Sequence, residues 1–508
     1  MSSSLQSILS LLIIPLSSLL LLVLLRIKSR SQTHVLPPSP PGLPLIGNLH
    51  QIGPLLHRSL AALSRTHGPL MLLHLGRVPV LVVSSPDAAR DVLRHQDHVS
   101  SGRPATAVAK ALLYGCRDLG FCPYGDYWRQ LRKICAVHLL SSKRVQSYRL
   151  AREEEVAAMI ASIASSSKAS STVDMSAVLY SFTNDSLCRA VSGKFKREEG
   201  RKKVLTELVH ENSVLLNKFC VGDYFPWLSW VDRFVGFLER AKKIHKRWDE
   251  LLDEMIKEHA DRLRAPENKN HEEKDFVDVL LSLENDSEIE FVLTPLSMKA
   301  LLVDMFGAGT ETSYVALEWA MAELIRNPRV MKKLQDEVRG LTAGRKTPIK
   351  EEELNQITYL KAVIKETLRL HPPAPLLIPR ELLEDCTIQG YSIPKKTRIY
   401  VNAWAIGRDS KYWDAPEEFR PERFVEDAAL DLNGNDFRYL PFGSGRRICP
   451  GLHFAVASLE LALANLVRHF DWELPGKLTT EELHMEEAVG LVVGREGALR
   501  LVAKPWSI

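Results

Sequence analysis

The chain has no C-x-x-C pair, and its seven cysteines (Cys116, Cys122, Cys135, Cys188, Cys220, Cys386 and Cys449) are scattered and odd in number. A structural zinc needs partner ligands at short spacing, so that class is excluded. The same scatter excludes a disulfide framework. Charge of one sign is also missing. With 66 basic and 62 acidic residues the net charge is +4, too small and too dispersed for nucleic-acid binding. No Gly/Ser or Pro linker follows residue 50, and no internal repeat occurs. Length alone, 508 residues, suggests about three domains. The absent linkers favour one large domain instead.

The N-terminus differs from the rest. Ile8 to Leu25 is an 18-residue uncharged run, broken only by Pro15 and three serines. It is just long enough to span a bilayer as a helix, and Pro15 is tolerable there if its freed carbonyl finds a local partner. No Lys or Arg precedes it, whereas Arg26, Lys28 and Arg30 follow, so the positive-inside rule leaves the rest of the chain in the cytosol. A cleaved secretory signal would want a basic start, a shorter apolar core and a small-residue cleavage site, none of them clear here. The reading is an uncleaved anchor over residues 1–30, a proline-rich hinge over 31–48 and one large domain over 49–508. In this topology the sequons at Asn184 and Asn285 stay unglycosylated.

Helical periodicity dominates the body. One helix is predicted over residues 297–326, ending at Asn327-Pro328. Others are predicted over 126–138, 150–164, 202–218, 232–263, 360–370 and 450–470. Strand signals are short: 71–75 with 78–83, 386–388, 398–401 and 499–502. Residues 165–171, 264–274 and 343–353 read as polar loops. The fold class is mostly α with a small β portion.

Cys449 lies in Pro441-Phe442-Gly443-Ser444-Gly445-Arg446-Arg447-Ile448-Cys449-Pro450-Gly451. The glycines let the backbone turn tightly and approach a flat partner. Arg446 and Arg447 favour an ionised neighbour, and the thiolate is the metal-binding form. A helical pattern starts just after, so Cys449 sits near a helix N-terminus, where negative charge is stabilised. Such a thiolate suits haem iron with cysteine as axial ligand.

Further along one helix face, Ala308 and Thr312 are four residues apart within Phe306-Gly307-Ala308-Gly309-Thr310-Glu311-Thr312-Ser313. Two glycines in mid-helix cost about 1 kcal/mol each relative to alanine, and close approach of a flat ligand is a reason for them. Glu311 can relay protons from solvent. Gly307-x-Gly309 is no dinucleotide fingerprint, because it lies inside a helix and lacks the third glycine. Glu366 and Arg369 share a helical face, and Arg423 in Pro421-Glu422-Arg423-Phe424 could close a buried Glu–Arg–Arg network.

The match to F-x-x-G-x-R-x-C-x-G from Phe442 to Gly451 resembles the signature of the cytochrome P450 family of haem-thiolate monooxygenases. The stretch around Thr312 is similar to that family's [AG]-G-x-[DE]-T motif, and Glu366, Arg369 and Arg423 fall on its E-x-x-R and P-E-R-F motifs. The resemblance runs from Pro37 to the C-terminus and is strongest to plant microsomal members of specialised metabolism. It implies haem b between the long central helix and the Cys-loop helix, with Cys449 as the iron ligand and Phe442 and Ala308 against the ring. Trp128 and Arg132 match the W-x-x-x-R helix; with Arg380 and Arg447 they are implied propionate contacts. Thr312 is implied in oxygen activation, Glu311 in proton delivery, and Glu366, Arg369 and Arg423 in bracing the cysteine loop.

The resemblance also implies electrons from NADPH through NADPH–cytochrome P450 reductase, with cytochrome b5 as a further partner, on the cytosolic face of the endoplasmic reticulum. Arg129, Lys133 and Arg446 are candidates for a basic docking face. The pocket is expected near residues 101–121, 300–308, 374–377 and 488–493, for a small hydrophobic terpenoid, alkaloid or phenylpropanoid. Cys122 departs from relatives that often carry alanine. The loop Tyr224–Trp230 either dips into the membrane interface or packs in the core. Two other classes fit the cysteine loop: a peroxide-using isomerase or dehydratase, and a haem-binding protein without turnover. Neither needs the Thr312/Glu311 pair.

Overall fold

A computed structural model describes residues 35–168, 172–193, 199–264, 274–284, 293–341, 345, 347–427, 429–476 and 478–506. The anchor predicted over residues 1–30 lies outside these, as does the sequon at Asn285. Among the described residues no helix is long and apolar enough to cross a membrane. The visible part of the hinge is tied down rather than free: the Leu72 and Ser392 amides donate to the carbonyls of Pro38 and Val35, each at 2.9 Å. Asn184 is buried, which by itself closes that sequon to modification.

The helices that position the site are α1 (Leu56–His67), α2 (Ala107–Leu112), α3 (Asp126–Ile134), α4 (Arg149–Lys168), α5 (Met175–Ser192), α6 (Glu199–Leu216), α7 (Phe237–Arg264), α8 (Phe276–Glu284), α9 (Pro295–Arg326), α10 (Pro328–Leu341), α11 (Thr358–Leu370) and α12 (Leu452–His469). The 32 residues of α9 make a rod of about 48 Å. Thr294 caps its N-terminus through its hydroxyl with Pro295 at the first position, a pre-organised start. Buried nearly throughout, α9 packs against α5 and α6 on one side and α11 and α12 on the other.

The main sheet has the order β1 (Leu70–Leu75), β2 (Val78–Val83), β7 (Arg398–Val401), β4 (Arg380–Glu381), antiparallel except for the parallel β2–β7 pair. Arg380 lies opposite Ile399 in that ladder, which aims it toward the cysteine loop. A second sheet joins β3 (Val173–Asp174), β9 (Arg500–Pro505) and β8 (Phe470–Glu473). The hairpin of β5 (Cys386–Ile388) and β6 (Tyr391–Ile393) turns on Gln389 and Gly390, both at positive φ, as a two-residue primed turn requires.

Three expectations are corrected. The helix predicted over 232–263 is two helices, Val231–Val235 and α7, divided at Gly236, whose φ of 80° is a left-handed stop. Residues 165–168 of the predicted serine-rich loop are helical, because α4 runs on to Lys168. The helix over 126–138 ends as α3 at Ile134 and continues as a wider π turn, Cys135–Leu139. No element was predicted at α5, which buries polar and apolar residues on several faces and so shows little helical periodicity.

Candidate active site

The Cys449 loop is folded by its own backbone and anchored by a distant acid. The Cys449 amide donates to the Phe442 carbonyl at 2.9 Å. Gly445 has a φ of 70°, and a Cβ there would lie 2.4 Å from the Leu93 carbonyl oxygen and 2.7 Å from Asp97 Oδ1, so only glycine fits. Asp97 is buried and accepts from the Arg446 amide (3.0 Å), Arg446 Nη1 (3.0 Å) and Arg380 Nη1 (2.8 Å). Arg380 Nη2 reaches the Ser444 carbonyl at 2.9 Å.

Burial pushes the Cys449 thiol up, while the Gly451 amide, the Arg132 guanidinium and the Leu452 amide pull it down. The two amides belong to the start of α12, so the helix-terminus reading describes this geometry. The assignment of the cation is corrected: Arg132 acts on Cys449, because Arg446 is turned to Asp97 and Arg447 to backbone carbonyls. Arg447 donates to Ser101 (3.0 Å), Leu119 (3.3 Å) and Cys122 (2.6 Å) and lies over the Trp128 ring at 4.2 Å.

The other predicted site residues lie on α9. Ala308 stays exposed in a helix otherwise buried nearly throughout, and Thr312 is half-buried on the same face. Thr312 Oγ1 donates to the Ala308 carbonyl at 2.7 Å, a back-bond to the preceding turn. Gly309 faces the other way: a Cβ there would meet Leu187 of α5 at 2.9 Å. It admits a neighbouring helix, not a flat ligand, which corrects the sequence reading. Glu311 is raised by burial, opposed by a hydrogen bond from Ser213 and by His210 on α6. Ser213 and His210 carry no motif of their own and were not foreseen.

Glu366, Arg369 and Arg423 do meet. Arg369 grips the Glu366 carboxylate with Nε (2.7 Å) and Nη2 (2.9 Å), and Arg423 Nε adds a third contact at 3.0 Å. All three are buried. Arg369 also donates to the carbonyls of Gly407 (2.6 Å), Pro416 (2.7 Å) and Glu418 (3.0 Å). Both guanidinium groups lie over Trp413, which packs on Phe424 and Tyr439; the Tyr439 hydroxyl returns to the Lys365 carbonyl at 2.8 Å. Tyr439 stands two residues before Pro441, so the network reaches the cysteine loop through packed rings.

The family model for Cytochrome P450 matches residues 37–499. The chain belongs to the cytochrome P450 family. It is 50% identical over 485 residues to cytochrome P450 71A4 of Solanum melongena, covering 94% of each chain. It is 49% identical over 472 residues to the indole-2-monooxygenase of Zea mays, covering 92% of this chain and 87% of that one. It is 47% identical over 472 residues to the strychnine-11-hydroxylase of Strychnos nux-vomica, covering 92% and 91%. A zebrafish cytochrome P450 solved with progesterone superposes with a TM-score of 0.74 at 26% identity, covering 89% of this chain and 99% of that one.

Haem is the cofactor of a cytochrome P450, and the residues present fit it. Arg132 is half-buried, yet its guanidinium has no hydrogen-bond or ion-pair partner among the described residues. Such a cation is costly unless an anion completes it, and a carboxylate side arm supplies one. Trp128 Nε1 is already given to the Leu119 carbonyl at 3.0 Å, Arg447 to loop carbonyls and Arg380 to Asp97. A propionate would share their donors with these partners. As a P450 the chain is a haem-thiolate monooxygenase, an oxidoreductase. At its surface Trp227 and Trp230 are about half exposed, which decides against plain core burial of that loop. The neighbouring Gly76–Arg77 turn joins it to Ile46: the Gly76 amide donates to Ile46 and the Arg77 amide to Tyr224.

Proposed function

We propose that this P450 uses O₂ and NADPH-derived electrons to oxidise a small hydrophobic plant metabolite by hydroxylation, epoxidation or oxidative ring formation. The observation that carries the reading is the pairing of a loop cysteine facing two helix-terminal amides with an α9 face where Ala308 and Thr312 stay open. In this reading Cys449 is the iron ligand, Phe442 and Ala308 flank the ring, and Arg132, Trp128, Arg380 and Arg447 hold the propionates. Haem, when bound, supplies the oxygen chemistry; the protein supplies orientation, exclusion of water and protons. Glu366, Arg369 and Arg423 keep the cysteine loop in register. Glu311, raised by burial, keeps its proton to higher pH than an exposed carboxyl does. Thr312, its hydroxyl lent to the Ala308 carbonyl, can turn and pass that proton on.

The relatives point to the substrate class. The Zea mays and Strychnos relatives are named for indole and strychnine, and a Prunus mume protein, 45% identical over 502 residues, for phenylacetaldehyde oxime. All three name nitrogen-bearing aromatic molecules of modest size. Residues 1–30 then anchor the protein in the endoplasmic reticulum, with the domain in the cytosol. Trp227, Trp230 and the exposed Leu45 rest on the membrane, and a flavoprotein reductase or cytochrome b5 approaches the opposite side. Expression in microsomes with reductase, on a panel of terpenoids, alkaloids, phenylpropanoids and fatty acids, tests this. Substrate-dependent NADPH consumption with an oxygenated product is expected, and product formation without reductase or O₂ would reject it. Cys449→Ser should abolish the strongly red-shifted Soret band of the reduced carbon-monoxide complex.

A further inference from the structure

Residues 118–122 form an irregular loop in which side chains hold three amides and three carbonyls. The amides of Leu119 and Gly120 donate to Asp304 Oδ2, the second at 3.2 Å, and the Phe121 amide to Asp118 Oδ2 at 2.6 Å. On the acceptor side, Gly120 takes Arg103 Nε at 2.8 Å, Leu119 takes Trp128 and Arg447, and Cys122 takes Arg447. Arg103 Nη1 also reaches the carbonyls of Ile378 (2.6 Å) and Pro379 (2.9 Å). Surface loops ordinarily leave such groups to water. Here the loop is strung between three walls: α9 through Asp304, the segment before β4 through Arg103, and the cysteine loop through Arg447.

Asp304 stands one turn before the exposed Ala308, on the same face of α9. Arg103 is buried, and its hydrogen-bond partners are all neutral carbonyls; Asp118 supplies the nearest opposing charge. We propose that Arg103 and Asp304 are positioning residues that clamp residues 118–122 from opposite sides, fixing the pocket wall and thereby the size of ligand that fits above Cys449. The proposal rests on the P450 reading of the site. Burial and the neighbouring Asp118 keep the Asp304 carboxyl well above the usual carboxylate range. Both amides are accepted by the single oxygen Oδ2, a role an asparagine carbonyl can also fill. Lysine at position 103 keeps the charge but lacks the planar fork that spans three carbonyls.

The test uses the haem-loaded protein and two probes read by their optical shifts: imidazole, which reports access to the iron, and clotrimazole, which must also fill the pocket. Asp304→Ala and Arg103→Lys should weaken clotrimazole by about tenfold or more while changing imidazole by less than about twofold. Asp304→Asn should stay within about threefold of the parent for both. An unchanged clotrimazole-to-imidazole ratio in both disruptive variants overturns the clamp. The red-shifted carbon-monoxide band of the parent is a separate reading. Its absence sinks the haem-thiolate assignment, whereas its presence with an unchanged ratio sinks the clamp alone. Should the variants fail to fold, hydrogen exchange on the parent decides: the Leu119 and Gly120 amides should be protected by about a hundredfold or more despite lying in a loop. Unprotected amides there overturn it.

Discussion

Arg380 and Asp97 meet at 2.8 Å beneath the cysteine loop, 283 positions apart in the chain. Both are buried, and Asp97 also takes the amide and guanidinium of Arg446, so one carboxylate joins β4, the Asp97–Ser100 turn and the Cys449 loop. In the haem-free protein Asp97→Asn removes the charge and leaves Arg380 enclosed without an anion. Breaking such a pair costs about 3–5 kcal/mol. The variant should unfold at correspondingly lower denaturant, and an unmoved midpoint would show that the carboxylate is dispensable.

Arg132→Gln tests the cation that the structure leaves open. Arg132 pulls on Cys449 and has no hydrogen-bonded partner among the described residues, so its loss should cost little in the haem-free fold and much in haem retention. The expected result is a haem-to-protein ratio reduced severalfold with the unfolding midpoint of the apoprotein nearly unchanged. A drop in apoprotein stability with normal haem content would make Arg132 a structural residue.

What the sequence disclosed and what it hid divide along one physical line. The Phe442–Gly451 phrase was legible because its chemistry is local: turn-forming glycines, a thiol and a helix start lie within ten residues. Glu366 and Arg369 were legible for the same reason, three apart on α11. Asp97 was not, because its partners Arg380 and Arg446 lie 283 and 349 positions away and the acid itself looks like an ordinary helix-opening residue. Gly309 was misread because only packing decides whether a glycine meets a ligand or Leu187. Likewise Arg447 carries the family's motif, yet its donors go to carbonyls that no pattern in its own segment announces.

Thr312→Ala removes the hydroxyl now held by the Ala308 carbonyl and leaves Glu311 in place. Helix propensity rises slightly and no buried partner is orphaned, so folding and the carbon-monoxide band should be unaffected. Proton delivery should suffer instead: NADPH consumption continues while product falls severalfold and peroxide accumulates. Unchanged coupling between NADPH and product would remove Thr312 from the relay. Glu311→Gln should give a related loss with a flattened pH profile.

Acid should loosen the contact between the two ends of the chain through Glu487. Burial alone would raise this carboxyl, but hydrogen bonds from His57 (2.9 Å) and Arg58 (2.7 Å), together with their charges, hold it down at about 2. In the unfolded chain it returns to about 4.3. A carboxylate lowered in the folded state contributes stability above its unfolded pKa and loses it as pH falls toward the folded one, here between about pH 4.5 and pH 2. Glu487→Gln cannot titrate, so it starts less stable near neutrality and should be less sensitive across this window. Denaturant midpoints at pH 5 and pH 3 should show the parent losing up to about 2 kcal/mol more than the variant. Parallel losses in the two proteins would place the acid sensitivity elsewhere, with Glu487 already protonated or released from α1.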